Sequence, residues 1–432
     1  MYPAMKALGV GMSEWIDTNV GNIAATVRNA LVGGPFGSNL VSNDYVNHGI
    51  PVIRGQNMGS RWVSGEFAYV SIEKAKSLEA NLAKPGDIIF TQRGTLGQVA
   101  LVPKAPFDYY VISQSQMKLT PDHSMAEPLF LYYVFLSPQQ QEHIRQNAIQ
   151  VGVPHTNLGI LRDTPVKLPP LEQQRSISHI LGTLDDKIEL NRRMNETLED
   201  MAQAIFKSWF VDFDPIRAKM SGESPESICR RLGLSSELLD LFPDSLQDSE
   251  LGEIPDGWEV RSIGDTVNRL PVGRKYDQKT VGTKGKVPVL DQGKSGIIGY
   301  HDDEPSITVS EEQPIAVFAN HTCYMRLIPF SFSAIQNVLP FAGNGVNTIW
   351  VFYATVGKQP FIEYKGHWPD FVIHKIAVPD TKLADKFTEC VHPMLKIVWI
   401  NEKESSTLAE TRDALLPKLL SGELHASVEG DA

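Results

Sequence analysis

The sequence predicts an α+β chain arranged as a tandem repeat. Two mixed α/β globular regions are each followed by a long helix, and the two helices pair antiparallel as a coiled coil about a pseudo-twofold axis. Three observations carry this. The first is a seam through Ile177, Leu181, Leu184, Ile188, Asn191, Asn195, Leu198, Ala202, Ile205 and Trp209, whose steps alternate four and three. That is the 3.5-residue period of a coiled coil, and at about 1.5 Å per residue the helix is a rod of about 50 Å. The second is a repeat of the same register at an offset of 210: Phe387, Val391, Met394, Val398, Asn401, Ser405, Leu408, Arg412, Leu415 and Leu419. The third is an echo between the globular regions. Trp15 and Gly21 match Trp258 and Gly264 at 243; Gln116, Leu119 and Tyr133 match Gln336, Leu339 and Tyr353 at 220; Leu168-Pro169 matches Val378-Pro379 at 210. Loops differ in length while the framework persists, as in a repeated unit.

The polar seam positions are informative. Asn191 and Asn195 sit at mid-rod, and their counterparts are Asn401 and Ser405. A polar residue in an apolar seam costs stability and fixes register. With the rods antiparallel and their ends aligned, polar meets polar. A slip of one heptad would set amide against hydrocarbon.

Taken in order, the first globular region spans residues 13–170. Tyr45 to Arg54 and Asp87 to Phe90 read as strands flanked by turn residues. Leu129 to Leu136 reads as a core helix, with strand the alternative, and Thr91 to Val102 as a strand, a glycine turn and a returning strand. The central helix follows over 171–212. Its opening prolines fit a first helical turn, where the missing N–H has no partner anyway, and Asp214-Pro215 ends it. Residues 213–257 form an acidic connector, expected to be exposed with few long-range contacts apart from a short helix over Ser224 to Leu232. The second globular region covers 258–379 and the C-terminal helix 380–421, with Asp380 as N-cap and Gly422 as stop. Pro393 should kink or break that helix.

The net charge of −11 argues against nucleic acid when taken whole. By segment it does not. Residues 212–259 hold 12 acidic and 4 basic side chains, whereas 27–118 hold 9 basic and 6 acidic, and 261–375 hold 12 basic and 10 acidic. The acidity is concentrated in the connector. No apolar run long enough for a membrane span or signal peptide occurs, so a soluble cytoplasmic chain is expected. Cys229, Cys323 and Cys390 have no disulfide or zinc spacing.

Catalytic signatures are missing: neither GxxxxGK[ST] nor GxGxxG is present, nor HExxH, nor the Asn/Asp-Pro-Pro-aromatic tetrapeptide of base methylation. His321 with Cys323 reads as core or loop packing and Glu363-Tyr364-Lys365 as surface charge. What is present is chemistry for reading DNA, since base edges and phosphates are contacted by Arg, Lys, Asn and Gln. The first region offers Asn39, Asn43, Arg54, Gln56, Asn57, Arg61, Gln92, Arg93 and Gln114 beside turns. The second offers Arg274, Lys275, Lys279, Lys284 and Lys286 in one run, suited to phosphate, with Gln292, Lys294, Asn320 and Arg326 beyond.

Leu168 to Gly222 and Ser249 to Val260 closely resemble the central region of specificity subunits of type I restriction–modification systems. Gly34 to Met58 (GPFGSNLVSNDYVNHGIPVIRGQNM) resembles the opening of their target-recognition domains, and Thr407 to Leu424 their C-terminal helix. The resemblance covers nearly the whole chain. It implies two target-recognition domains, each reading half of a bipartite DNA target, with the coiled coil setting the spacer. It implies two modification subunits that use S-adenosylmethionine to methylate adenine, and restriction subunits that cut DNA using ATP and Mg²⁺. The chain itself would bind no cofactor and hold no active site. Individual base-contacting residues do not carry over. The rival readings are a self-sufficient enzyme with an unfamiliar site, and a scaffold that never touches DNA.

Overall fold

The computed structural model describes residues 15–149, 154–293 and 296–426. They form two compact units. Unit 1 is drawn from residues up to Ile188 together with those from Ser406 onward, and unit 2 is Glu189–Ser405. Both long helices, Leu171–Phe210 and Thr381–Ser421, contribute to each unit.

Unit 1 opens with an antiparallel pair, Ile16–Asn19 with Pro165–Leu168, which closes the globular part directly before the long helix. A four-stranded sheet follows in the order Leu31–Gly33, Gln116–Leu119, Ile88–Thr91, Val99–Leu101, and Pro128–Leu136 is a helix in its core. Every residue from Phe130 to Phe135 is buried. An apolar run buried all round cannot be assigned from periodicity, which is why strand was the alternative. Glu127 settles it by capping the Phe130 N–H at 2.6 Å with proline next in line. A second sheet of five short strands contains the parallel pair Ile50–Ile53 with Tyr110–Ile112.

Unit 2 repeats this plan. Its edge pair is Glu259–Ser262 with Lys375–Val378, and its four-stranded sheet runs Val267–Arg269, Val338–Gly343, Ile315–Ala319, Met325–Ile328. Ile16 faces Leu168 in unit 1 and Glu259 faces Val378 in unit 2, so the offsets of 243 and 210 are those of the ladder. The helix Thr348–Thr355, capped by Asn347, answers to Pro128–Leu136 at 220. Between them the sequence match slips by two. Ile53 pairs with Ile112 as Leu290 pairs with Ala334, which makes the offset 222 and sets Gln114, not Gln116, opposite Gln336. A shift of two preserves the inward and outward alternation of a strand, so the pattern survives the slip.

The seams are as expected. All twenty positions are buried or half-buried. In unit 1, Arg412 donates to Asp185 at 2.7 Å, and Leu416 and Leu419 share a core with Ile177 and Leu181. In unit 2, Asn401 Nδ2 donates to Asn195 Oδ1 at 2.8 Å, and Asn191 Nδ2 donates to Glu404 at 2.7 Å and to Ser405 Oγ at 3.3 Å. Low numbers on one helix meet high numbers on the other in both units, so the helices run antiparallel, and polar does meet polar.

Two expectations are corrected. The acidic connector is not loosely attached. It folds into helices Asp214–Met220, Pro225–Leu232 and Ser236–Leu239 and a hairpin, Leu246–Ser249 with Gly252–Pro255. Phe213, Ile216, Ile228, Leu239, Phe242 and Ile254 all enter the unit 2 core. Its charge conceals an apolar residue every few positions; the carboxylates face outward while the apolar side chains pack on Trp209 and Trp258. Nor does Pro393 break the second helix, which is continuous over Thr381–Ser421. Pro393 lies on the exposed side, where the backbone carbonyl it frees meets water. Asp380 caps the start through the Lys382 N–H at 2.8 Å, and Gly422 ends it with φ +77°.

Candidate nucleic-acid interface

In unit 1, four loops converge beyond the parallel strand pair. Ser113 N donates to Ile53 O, Gln92 N to Ser115 O at 2.7 Å, Gly34 N to Gln116 O at 2.8 Å, and Thr156 N to Gln92 O. The Gly34–Leu40 loop is tied down by Gln114, whose Nε2 donates to Gly37 O at 2.7 Å and to Leu40 O at 2.8 Å. Asn81 holds Gly33 O from the other side. The resulting surface is built mainly of main chain and amides, on fixed supports.

Several candidates stand on this surface. Asn39 and Asn43 are exposed on short 3₁₀ turns, and Arg93 is exposed with no ion pair among the described residues. Gln92 is half-buried beside Gly33, and Arg54 is half-buried with its Nε unpartnered. Gln56 is exposed, with one donor given to Glu66 O at 3.1 Å. Gln114 spends its amide on the loop. Asn57 and Arg61 do not belong with the others. Asn57 is buried, donates to Ser64 O and Glu66 O, and accepts from Arg54 N. Arg61 is buried against the long helix, pairing with Asp186 and donating to Gly182 O. A guanidinium in sequence beside turn residues reads the same whether it faces DNA or its own helix.

Unit 2 is built differently. Lys275, Lys279, Lys284 and Lys286 are exposed and unpaired among the described residues, on the long segment that precedes the strand Val287–Leu290. Arg274 lies in the same segment but pairs with Asp303 at 2.6 Å and stacks over Tyr276. Gln292 accepts the His321 N–H and Thr322 Oγ. Asn320 accepts the Trp368 N–H at 2.9 Å, which positions the helix Trp368–Val372. Arg326 lines a cavity with Glu199, Glu402 and Trp399, so it faces carboxylates. Burial there lifts the Glu402 carboxyl above its ordinary range and Arg326 opposes the shift. Lys294 lies outside the described residues.

His321 packs on the Tyr364 ring, and burial raises the Cys323 thiol; Lys365 pairs with Asp370 and Glu363 at the surface. Among the described residues no three His, Cys, Asp or Glu side chains group to hold a metal ion, and no helix is long and apolar enough to cross a membrane. Sequence reasoning passed over Phe36, which is 90 % exposed. The signal available was its setting, an aromatic ring between Gly34-Pro35 and Gly37.

Residues 37–200 match the type I restriction modification DNA specificity domain. The chain is 25% identical to the type I restriction enzyme HindI specificity subunit of Haemophilus influenzae, over 96% of this chain and 100% of that one. It is 24% identical to the MjaIX specificity subunit of Methanocaldococcus jannaschii, over 83% and 84%. In fold it is similar to the type I restriction–modification S subunit of M. genitalium, with a TM-score of 0.54, 16% identity and coverage of 97% and 99%. Over most of its length the chain is thus similar to specificity subunits of type I restriction–modification systems, residues 37–200 match the DNA specificity domain of that family, and the fold is similar to that of a solved S subunit.

Proposed function

We propose that each unit reads one half of a bipartite double-stranded DNA target and that the paired long helices set the spacer between the halves. The observation that carries this reading is the repetition itself. The same sheet order and edge pair occur twice, each joined to both helices, while the loops that would face DNA differ. A rod of about 50 Å is somewhat longer than one helical turn of duplex, which is about 34 Å, so paired helices of this length suit a spacer on that scale. Two modification subunits dock on the chain, bring S-adenosylmethionine and methylate one adenine per half-site. Restriction subunits add ATP- and Mg²⁺-dependent cleavage. This chain supplies recognition and spacing, and the reacting groups belong to its partners. The target base must leave the stack, so the complex bends or opens the duplex near each half-site.

Long-read methylome sequencing of a host with and without the gene identifies the target. Deleting one heptad from both helices, Asn191 to Thr197 with Asn401 to Thr407, is then expected to shorten the spacer and leave both half-sites unchanged. Altered half-sites with an unchanged spacer would refute the reading. Methylation or cleavage by the purified chain alone would favour a self-sufficient enzyme instead.

A further inference from the structure

Phe36 is the most exposed large apolar side chain among the described residues, at 90 %. Single exposed apolar residues are ordinary, but the support under this one is not. Pro35 is buried and Gly37 adopts φ +60°, a conformation glycine takes without penalty. A Cβ on Gly34 would run into the Ser113 carbonyl, so the loop lies directly on the neighbouring turn. Gln114 then holds Gly37 and Leu40 through two hydrogen bonds. The ring is thus carried on a braced loop. Gly37, Ser38 and Asn39 beside it are small or polar, so it is one ring and not the centre of a broad apolar patch.

Unit 2 carries no ring at this place. Leu31 and Arg269 face matching positions of the neighbouring strand in the two units, so five residues on Arg274 answers to Phe36, exposed and paired with Asp303.

We propose that Phe36 is a wedge that stacks between bases at the half-site read by unit 1, unstacking one step so that the duplex can open there. The inference rests on the DNA-reading function above. A flat ring on a rigid support, in a surface of amides and of Arg93, which has no ion pair among the described residues, matches the face of a base.

The test uses the chain assembled with its modification subunits and a duplex carrying the mapped target, with 2-aminopurine placed in turn at each step of the unit 1 half-site. For the wild-type complex, fluorescence should rise on binding at one step. Phe36→Ala should abolish that rise and weaken binding about tenfold or more, while Phe36→Trp should restore both. If Phe36→Ala matches wild type in affinity and fluorescence, the wedge is wrong and the DNA-reading function stands. If Phe36→Ala instead prevents assembly in the absence of DNA, the ring is a protein contact and the wedge is likewise wrong. A wild-type complex that binds duplex without sequence preference would overturn the DNA-reading function itself.

Discussion

Set side by side, the two units solve one packing problem with different chemistry. In unit 1, Lys118 lies opposite Ile89 in the central strand pair, and its ammonium reaches the buried Asp87. At the matching place in unit 2, Pro340 lies opposite Val317 and Ile315 occupies the position of Asp87. One interior holds an ion pair and the other hydrocarbon, yet sheet order and helix placement are unchanged. The fold is specified by which positions point inward, and much less by what occupies them. The same freedom applies outside. Unit 1 presents amides, Arg93 and one ring; unit 2 presents a run of lysines.

The sharpest way to break this comparison is to remove half of the unit 1 ion pair. Burial already raises Asp87 and lowers Lys118 from their ordinary values. Lys118→Met leaves the carboxylate buried and unpaired, and should cost about 3–5 kcal/mol at neutral pH. A carboxyl whose folded pKa is raised contributes stability that is present below its unfolded value of 3.8 and lost as pH rises through the folded one. The variant raises Asp87 further, so its deficit should shrink as pH falls. Urea unfolding at two pH values checks both parts, and a deficit independent of pH would remove the ion-pair account. No equivalent penalty should follow Ile315→Val in unit 2, where about 0.5–1.5 kcal/mol is expected.

The loop comparison gives the next largest effect. Each phosphate contact contributes about −0.9 to the slope of log binding constant against log salt. Alanine at Lys275, Lys279, Lys284 and Lys286 should flatten that slope by up to about one unit per lysine and weaken binding on all sequences alike. Arg93→Ala in unit 1 should change the slope by about one at most. Binding titrations over a salt series decide it; equal slopes for the two sets would erase the distinction.

Asn191→Leu should be smaller in stability and visible in register. It removes the hydrogen bonds to Glu404 and Ser405 but also an Oδ1 with no partner. Net stability should change by about 1 kcal/mol or less. Cysteine pairs placed along the unit 2 helices should cross-link in more than one register; a single register would show that Asn195 and Asn401 suffice. The smallest effect is expected at Glu189. Hydrogen bonds from Arg192 lead the causes that lower its carboxyl to about 2. That stability is present above 4.5 and lost as pH falls toward 2, so Glu189→Gln should flatten melting temperature over that window alone.

The long helices were the most legible part of this chain because a coiled coil writes its contacts into a fixed period. Asn195 meeting Asn401 could be foreseen from that period. The connector could not. Its fold depends on Phe213, Ile216 and Phe242 finding Trp209 and Trp258, which are contacts between short elements without a shared period. For the candidate interface, residue type alone could not separate surface groups from structural ones. Asn57, Arg61 and Asn320 carry the right groups, and only the chain path shows that those groups hold turns and helices.

Unit 1 is sewn from two distant stretches, and Leu416 and Leu419 complete the core that holds Ile177 and Leu181. On the ribosome those two leucines emerge after the whole of unit 2. Unit 1 must therefore wait, with part of its apolar interior bare, until unit 2 has been made whole. Synthesis stalled before Ser406 would release a chain whose later-made unit can close while its earlier-made unit cannot, and such a fragment is a natural substrate for chaperones and proteases.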